Sequence, residues 1–123
     1  MKLTKSKLKQ VIREEIQKMN EAKTYADAMA GTNIDVSSKG ITSLEGAPQK
    51  VEGRFYCDNN SLTSLKGAPQ KVKGDFYCYN NSLTSLEGAP KEVEGDFYCQ
   101  KNKTKFTEED VRAVCKVGGR ILV

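Results

Sequence analysis

Apolar and polar residues alternate along a short segment that occurs three times in the chain. In the middle copy the alternation runs through Val72, Lys73, Gly74, Asp75, Phe76, Tyr77, Cys78 and Tyr79. A period of two is typical of a half-buried β-strand, so we predict a strand over 72–78 with Phe76 and Cys78 pointing inward. The segment Gly-x-Phe-Tyr-Cys recurs every 21 residues, and such a period indicates a solenoid in which each repeat stacks on the next.

A second pattern follows each predicted strand. The first two copies continue as Phe-x-Cys-x-x-Asn-x-Leu-x-x-Leu, which resembles the leucine-rich repeat consensus L-x-L-x-x-N-x-L, with Phe and Cys at two leucine positions. The short period is similar to the bacterial and phage-type repeats of that family. The resemblance implies that the side chains of Asn60, Asn81 and Asn102 bind backbone groups of the turn after the strand. The segment Val-x-Gly-x-Phe departs from the consensus, so the resemblance does not determine at which residue each strand begins.

The return side of each repeat is predicted to be extended. All three prolines of the chain lie in Gly-Ala-Pro segments, at Pro48, Pro69 and Pro90. Because proline lacks an N–H donor and fixes φ, these segments favour a polyproline-like return rather than a helix.

The two ends of the repeat array differ from its middle. A degenerate first repeat is predicted from Asn33, with inward residues Ile34, Val36, Ile41 and Leu44. Near the other end, Thr107 and Asp110 resemble a capping box and predict a helix from Thr107 to about Lys116. Its apolar face would carry Val111, Val114 and Cys115. Residues 117–123 align with 93–99, which predicts a final strand.

The predicted fold is therefore an α/β solenoid of leucine-rich repeats with about five parallel strands, an N-terminal helix and a C-terminal capping helix followed by a final strand. Residues 1–32 form the N-terminal helix, as a cap or leader, and residues 33–123 form the solenoid with its C-terminal cap.

Residues 4–20 predict an amphipathic helix with Thr4 as N-cap and a stripe of Leu8, Val11, Ile12, Ile16 and Met19. One interpretation is that this helix, or the following segment with Tyr25, Ala28 and Met29, covers the open apolar end of the solenoid. Another is a leader, because the Lys-rich start looks like that of small proteins of tailed phages. Met19-Asn20-Glu21 before Ala22 resembles the site at which head-targeted phage proteins are trimmed. A basic helix on a membrane surface is disfavoured by Glu14 and Glu15.

The amino-acid composition limits the kinds of catalysis and metal binding that the chain could support. The chain has no His, so it lacks the usual general base near neutral pH and the usual Ser-His or Cys-His pair. We therefore predict a non-enzyme without cofactor. Cys57, Cys78 and Cys99 recur at one inward position without the close spacing of zinc ligands, so they are predicted to be buried apolar residues, with Cys115 on the core face of the last helix. Free thiols indicate a reducing compartment, meaning the cytoplasm, or a virion if the protein is phage-encoded.

The outward residues form columns across the predicted strands. One column is Asn33, Arg54, Asp75, Asp96 and Arg120, and the next is Asp35, Tyr56, Tyr77, Tyr98 and Leu122. Stacked tyrosines stabilise a sheet without any ligand, yet tyrosine and arginine are also typical of protein interfaces. Members of the leucine-rich repeat family bind through this concave sheet. The predicted protein-binding residues are Arg54, Tyr56, Asp75, Tyr77, Tyr79, Asp96, Tyr98 and Arg120, and a peptide or carbohydrate is an alternative ligand.

Charge and sequence limit the partners further. The net charge of +4 resides in residues 1–20, and the remaining charges balance, so no nucleic-acid surface is predicted on the solenoid. No transmembrane segment is predicted. The final strand around Ile121 and Leu122 lacks the Pro or Lys residues that discourage edge pairing, so a homodimer through this C-terminal edge is a further hypothesis.

Overall fold

The protein is described from a computed structural model that covers residues 4–30 and 32–123. The chain begins with helix α1 (Lys5–Ala28). The side-chain oxygen of Thr4 accepts a hydrogen bond from the N–H of Lys7 at 3.1 Å, which confirms the predicted N-cap. The helix extends eight residues beyond the predicted end at residue 20.

Two sheets run along the length of the solenoid. The first has the order β1-β2-β4-β6-β8-β10, with strands Met29–Ala30, Asn33–Asp35, Phe55–Tyr56, Phe76–Tyr77, Phe97–Tyr98 and Ile121–Leu122. The second has the order β3-β5-β7-β9, with strands Lys50–Val51, Lys71–Val72, Glu92–Val93 and Lys116–Val117. All neighbouring pairs are parallel except β1 and β2. The five predicted parallel strands are thus confirmed in the first sheet.

The single strand predicted over 72–78 is wrong. The chain forms two short strands, β5 and β6, which belong to different sheets and are separated by a bend. At this bend Gly74 lies directly on Gly53 of the preceding coil. The N–H of Gly74 donates a hydrogen bond of 2.9 Å to the carbonyl oxygen of Gly53. Val72 and Phe76 are both fully buried, since the two sheets enclose one core and the alternation continues through the bend.

The core is a set of ladders running along the solenoid axis. Phe55 stacks on Phe76 at 5.7 Å between ring centroids, and Phe76 contacts Phe97 at 5.2 Å. Cys57, Cys78 and Cys99 are buried and unbonded to one another, which confirms their predicted structural role. Each thiol donates to a backbone carbonyl of the next coil, as Cys57 does to Tyr77 at 3.0 Å.

The Asn ladder fixes the turn after each strand. The amide of Asn81 donates to the carbonyl oxygens of Cys57, Cys78 and Tyr79 at 3.1, 3.1 and 3.3 Å. Its side-chain oxygen accepts the N–H of Leu62 at 3.1 Å. Asn60 and Asn102 repeat this arrangement. The role that the resemblance implied is confirmed, and each Asn also joins two coils.

The N-terminal end of the solenoid is covered by Tyr25. This side chain is buried, stacks on Phe55 at 6.4 Å and donates its hydroxyl to the carbonyl of Leu44 at 3.0 Å. Leu8, Ile12 and Ile16 are each about half exposed, so these three residues of the predicted stripe do not pack on the core. The side chains of Met19, Ala28 and Met29 lie outside the described residues.

The C-terminal cap consists of helix α2 (Glu108–Arg112) and strands β9 and β10. Thr107 and Asp110 form the predicted capping box, with both reciprocal hydrogen bonds present. The helix ends at Arg112 instead of Lys116 because Lys116 begins a strand that pairs with β7. Val111 and Cys115 are buried as predicted, whereas Val114 is exposed and its assignment to the core face is wrong. Within residues 4–30 and 32–123, no helix is long and apolar enough to cross a membrane.

Candidate protein-binding face

The outward columns form because the strands of the first sheet stack in register. Tyr56 pairs with Asp35 and Tyr77, and Tyr98 pairs with Tyr77 and Leu122. This confirms the predicted second column, from Asp35 to Leu122. Phe55 and its equivalents point into the core, so the tyrosine beside each of them points outward.

Tyr56, Tyr77 and Tyr98 form a continuous stack, which we call the tyrosine strip. The ring centroids are 4.5 and 4.6 Å apart and the rings are inclined by only 6° and 7°. Both faces of the Tyr77 ring are therefore covered by its neighbours. Because the stack runs along the solenoid axis, the strip presents ring edges rather than ring faces to the surroundings.

A second aromatic contact widens the strip on one side. Tyr79 meets Tyr77 in an edge-to-face arrangement, with ring centroids 6.4 Å apart and planes inclined by 71°. An open cavity of about 370 Å³ lies beside it, lined by Tyr77, Tyr79, Tyr98, Gln100 and Lys101. Gln100 and Lys101 were not among the predicted site residues. Gln100 stands one repeat of 21 residues after Tyr79 and is followed by Lys101, and this correspondence was the signal that could have identified them.

The charged column beside the strip is paired across coils. The Nε of Arg54 lies 3.6 Å from Oδ2 of Asp75, and an Nη of Arg120 lies 3.4 Å from Oδ2 of Asp96. Each arginine of the predicted column thus pairs with an aspartate of a neighbouring coil. The arginine side chains are 54% and 78% exposed, whereas the aspartates are only 21% and 20% exposed, so the guanidinium groups form the outer layer.

The aspartates of this column are also hydrogen-bonded to the backbone. Oδ1 of Asp75 accepts the N–H of Asp96 at 2.7 Å, and Oδ1 of Asp96 accepts the N–H of Arg120 at 2.6 Å. Asn33 does the same for Arg54 at 2.8 Å. The hydrogen bond from the backbone N–H of Arg120, and then the Arg120 side chain, lowers the pKa of Asp96 below its usual value. Glycine at positions 53, 95 and 119 leaves room for these side-chain oxygens.

The tyrosine hydroxyls are tied into the same column. Tyr77 donates to Asp75 at 3.1 Å, Tyr98 donates to Asp96 at 3.4 Å, and Arg54 donates to the hydroxyl of Tyr56 at 3.4 Å. Burial, and then the nearby Asp75 carboxylate, raises the pKa of Tyr77 above its usual value, so its hydroxyl stays a donor at physiological pH. The rings are thus held by stacking and by their hydroxyl groups.

Asp58 is a polar residue that the predicted site did not include. It is 5% exposed, and Oδ2 accepts the amide of Asn59 at 2.7 Å. Burial, and then the Asp58 carboxylate, raises the pKa of Tyr79 above its usual value. Asp58 therefore lies close enough to Tyr79 for its carboxylate to act on the Tyr79 hydroxyl.

The described residues contain no group of three or more His, Cys, Asp or Glu side chains placed to hold a metal ion. Burial raises the pKa of Cys57 and Cys78 well above its usual value and that of Cys99 to about 11. These thiols are therefore neutral at physiological pH, and neutral thiols are poor nucleophiles and poor metal ligands.

The chain matches no family model, no curated protein and no solved structure. The parallel solenoid with its repeat of 21 residues is therefore established by the strand registers alone.

Proposed function

We propose that this chain is a non-catalytic protein-binding module of the leucine-rich repeat type, and that it binds its partner through the outer face of the first sheet. The resemblance makes this face the concave one. The binding residues are the tyrosine strip and Tyr79, with the charged column Arg54, Asp75, Asp96 and Arg120 beside them. We place the protein in a reducing compartment such as the cytoplasm, since its cysteines are unpaired.

The observation that carries this proposal is the rigidity of the strip. Its rings are stacked at 4.5 and 4.6 Å and their hydroxyls are hydrogen-bonded, yet all three side chains are only partly buried. Binding through side chains that are already ordered loses little conformational entropy. Tyrosine and arginine are also the residues that most often dominate binding energy at protein interfaces.

Capture experiments test this proposal. The wild-type chain and a Tyr56→Ala/Tyr77→Ala/Tyr98→Ala variant are immobilised, incubated with a lysate of the source cells and analysed by mass spectrometry. A matched control replaces Lys50 and Lys71, which lie at corresponding positions of the second sheet, with Ala. We expect one protein to be retained by the wild type and the control and lost from the tyrosine variant. Equal retention by all three would contradict the proposal, provided that circular dichroism shows the variant folded.

A second candidate function is a structural or head-packaged component of a phage virion, with α1 as a targeting leader. The observation that favours it is the exposure of Leu8, Ile12 and Ile16, since this part of α1 does not serve the solenoid core. Mass spectrometry of the protein from virions tests this candidate. It predicts a mature N-terminus at Ala22, after the sequence Met19-Asn20-Glu21. An N-terminus retained at Met1 in virions would exclude processing at this site.

A homodimer through β10 is proposed as an additional contact. Among the described residues, β10 pairs with β8 only, and Ile121 and Leu122 are partly exposed. A two-fold axis at this edge would join two sheets with β10 antiparallel to its copy. Sedimentation of the wild type and of Leu122→Lys tests it. A wild type that stays monomeric at high micromolar concentration excludes the dimer.

A further inference from the structure

The charges and ring edges of the proposed binding face point to the chemistry of its partner. We infer that the partner presents an acidic peptide segment, in which Asp or Glu side chains flank the residues that contact the tyrosine strip. This inference rests on the proposed function and specifies what the same face would recognise.

The carboxylates of Asp75 and Asp96, which flank the tyrosine strip, are already occupied within the protein. Asp75 accepts hydrogen bonds from the N–H of Asp96 and the hydroxyl of Tyr77, and it pairs with Arg54. Asp96 accepts from the N–H and side chain of Arg120 and from Tyr98. Both are largely buried beside the strip. A partner's cation would therefore have to displace existing hydrogen bonds to reach either of them.

The cations of the face are not occupied in the same way. Arg54 and Arg120 are 54% and 78% exposed. A guanidinium has five N–H donors. Arg54 uses one toward Asp75 and one toward Tyr56, while Arg120 directs one Nη toward Asp96. Lys101 is exposed and lines the cavity beside Tyr98. Among the charged side chains that flank the tyrosine strip from Arg54 to Arg120, those that remain available to a partner are therefore hydrogen-bond donors with positive charge.

The orientation of the rings favours the same kind of partner. An aromatic ring is electron-rich on its face and electron-poor at its edge. Stacking at 4.5 and 4.6 Å covers both faces of Tyr77 and one face each of Tyr56 and Tyr98, so the strip meets the partner mainly through ring edges. Electron-poor edges attract carboxylate oxygens and disfavour the cation–π contacts that a Lys or Arg of the partner would need.

A protein segment fits this face better than a nucleic acid, which would also be acidic. Single-stranded nucleic acids bind by stacking their bases on aromatic ring faces, and the faces of Tyr77 are covered on both sides. Duplex binding requires many phosphate contacts from basic residues. The described part of this face presents the exposed cations Arg54, Arg120 and Lys101, which suit a short acidic segment but not the long series of phosphates along a duplex. Asp35 is exposed at the N-terminal end of the strip, so the acidic segment would lie over the coils that follow it.

Selection from a displayed library of random peptides of about 12 residues tests this inference on the full chain. The binders are sequenced and the preferred one is synthesised. Its affinity is then measured for the wild type, the tyrosine variant, and a charge variant with Arg54→Gln, Arg120→Gln and Lys101→Asn. The Lys101→Asn change should not strain the backbone, because Asn occupies the equivalent positive-φ positions 59 and 80. The matched control removes three positive charges elsewhere, through Lys5→Gln, Lys7→Gln and Lys9→Gln in α1.

We expect binders rich in Asp and Glu, with affinity lowered about 10-fold or more by the charge variant and less than about 2-fold by the control. Binders that need the tyrosines but are basic or neutral would overturn this inference while the proposed function stands. The same holds if the charge variant binds like the wild type. Binding that does not depend on the tyrosines would overturn both. Tighter binding of a single-stranded oligonucleotide than of any selected peptide would instead assign the face to nucleic acid.

Discussion

The carboxylate of Asp75 accepts the backbone N–H of Asp96, one coil further along the solenoid, at 2.7 Å. Asn33 and Asp96 make the corresponding bond to Arg54 and Arg120. The column is interrupted at Arg54, because an arginine side chain has no acceptor. No described residue accepts the N–H of Asp75. The outer face of the first sheet therefore lacks one hydrogen bond of this column, at the N–H of Asp75.

Replacing Arg54 by Asn is predicted to supply this missing hydrogen bond. An acceptor there would reach the N–H of Asp75 as Asn33 reaches that of Arg54, with Gly74 leaving room for it. The new hydrogen bond contributes about 1 kcal/mol, while the lost exposed ion pair with Asp75 contributes between about 0 and 1 kcal/mol. We expect Arg54→Asn to be as stable as the wild type or up to about 1 kcal/mol more stable in urea unfolding. Arg54→Ala, the control, loses the charge pair and has no side-chain acceptor, so equal unfolding free energies for the two variants would contradict this account.

The Asn ladder provides the second prediction. Asn81→Ala would leave the carbonyls of Cys57 and Cys78 and the N–H of Leu62 without their partner. We expect a loss of about 1–3 kcal/mol in the free energy of unfolding, measured by chemical denaturation.

The control for this prediction must be a substitution that the backbone conformation at its position tolerates. The neighbouring residue Asn80 is exposed, but its φ is +54°, so Asn80→Ala would add a cost of about 1–2 kcal/mol for the left-handed conformation. Asn80→Gly avoids this cost and is the better comparison. It removes one exposed hydrogen bond, from Asn80 to the side chain of Asn59, whereas Asn81→Ala removes four partly buried ones. Equal losses for Asn81→Ala and Asn80→Gly would show that the ladder does not hold the turn.

The strand registers and the Asn ladder were predictable because they depend on a translation of 21 residues. Once one Phe, Cys and Asn are assigned inward, every copy must follow, and each contacts its own equivalent in the next coil. The final strand lies 24 residues after the preceding one instead of 21, so it was aligned from its own residues. The pairing of Val117 with Val93 and of Ile121 with Phe97 confirms that alignment. The tyrosine strip and its charge pairs followed directly from these registers.

Other features could not be predicted from the repeat. A strand that bends at Gly74 keeps the same alternation as a straight one, because Val72 and Phe76 are buried either way. The close approach of Gly74 to Gly53 is a contact between coils and is not visible in a single repeat. Strand β1 has only two residues, Met29 and Ala30, and no pattern of its own. The hydroxyl bonds of the strip and the cavity beside Gln100 likewise depend on the three-dimensional arrangement.

The glycine at the bend provides the third prediction. A Cβ on Gly74 would lie 2.7 Å from the carbonyl carbon and oxygen of Gly53, which are backbone atoms and cannot rotate away. We expect Gly74→Ala to destabilise the fold by about 3 kcal/mol, measured by thermal and urea unfolding. Gly40 is the control, since its φ is +69° and no atom lies within 4 Å of a Cβ there. Gly40→Asn should cost about 1 kcal/mol or less, and a Gly74→Ala variant as stable as Gly40→Asn would contradict the close stacking.

The four buried cysteines predict how the stability of the fold depends on pH in the alkaline range. Burial raises the pKa of Cys99 and Cys115 from an ordinary 9.0 to about 11, and raises that of Cys57 and Cys78 well above 9.0. The folded state therefore keeps protons that the unfolded state releases. The contribution of these protonated thiols to the free energy of unfolding is fully present below pH 9 and is lost as the pH rises toward about 11.

The variant Cys78→Ala tests this dependence, because it removes one fully buried thiol. It should be less stable than the wild type at pH 8, since it leaves a small cavity. Between pH 9 and 11, however, its free energy of unfolding should fall less steeply, by up to about 1.4 kcal/mol per pH unit. Urea unfolding at several pH values measures both slopes. Tyr77 also titrates in the alkaline range with a raised pKa, but it is present in both proteins and cancels in the comparison. Identical slopes would mean that the Cys78 thiol ionises as readily in the folded chain as in the unfolded one.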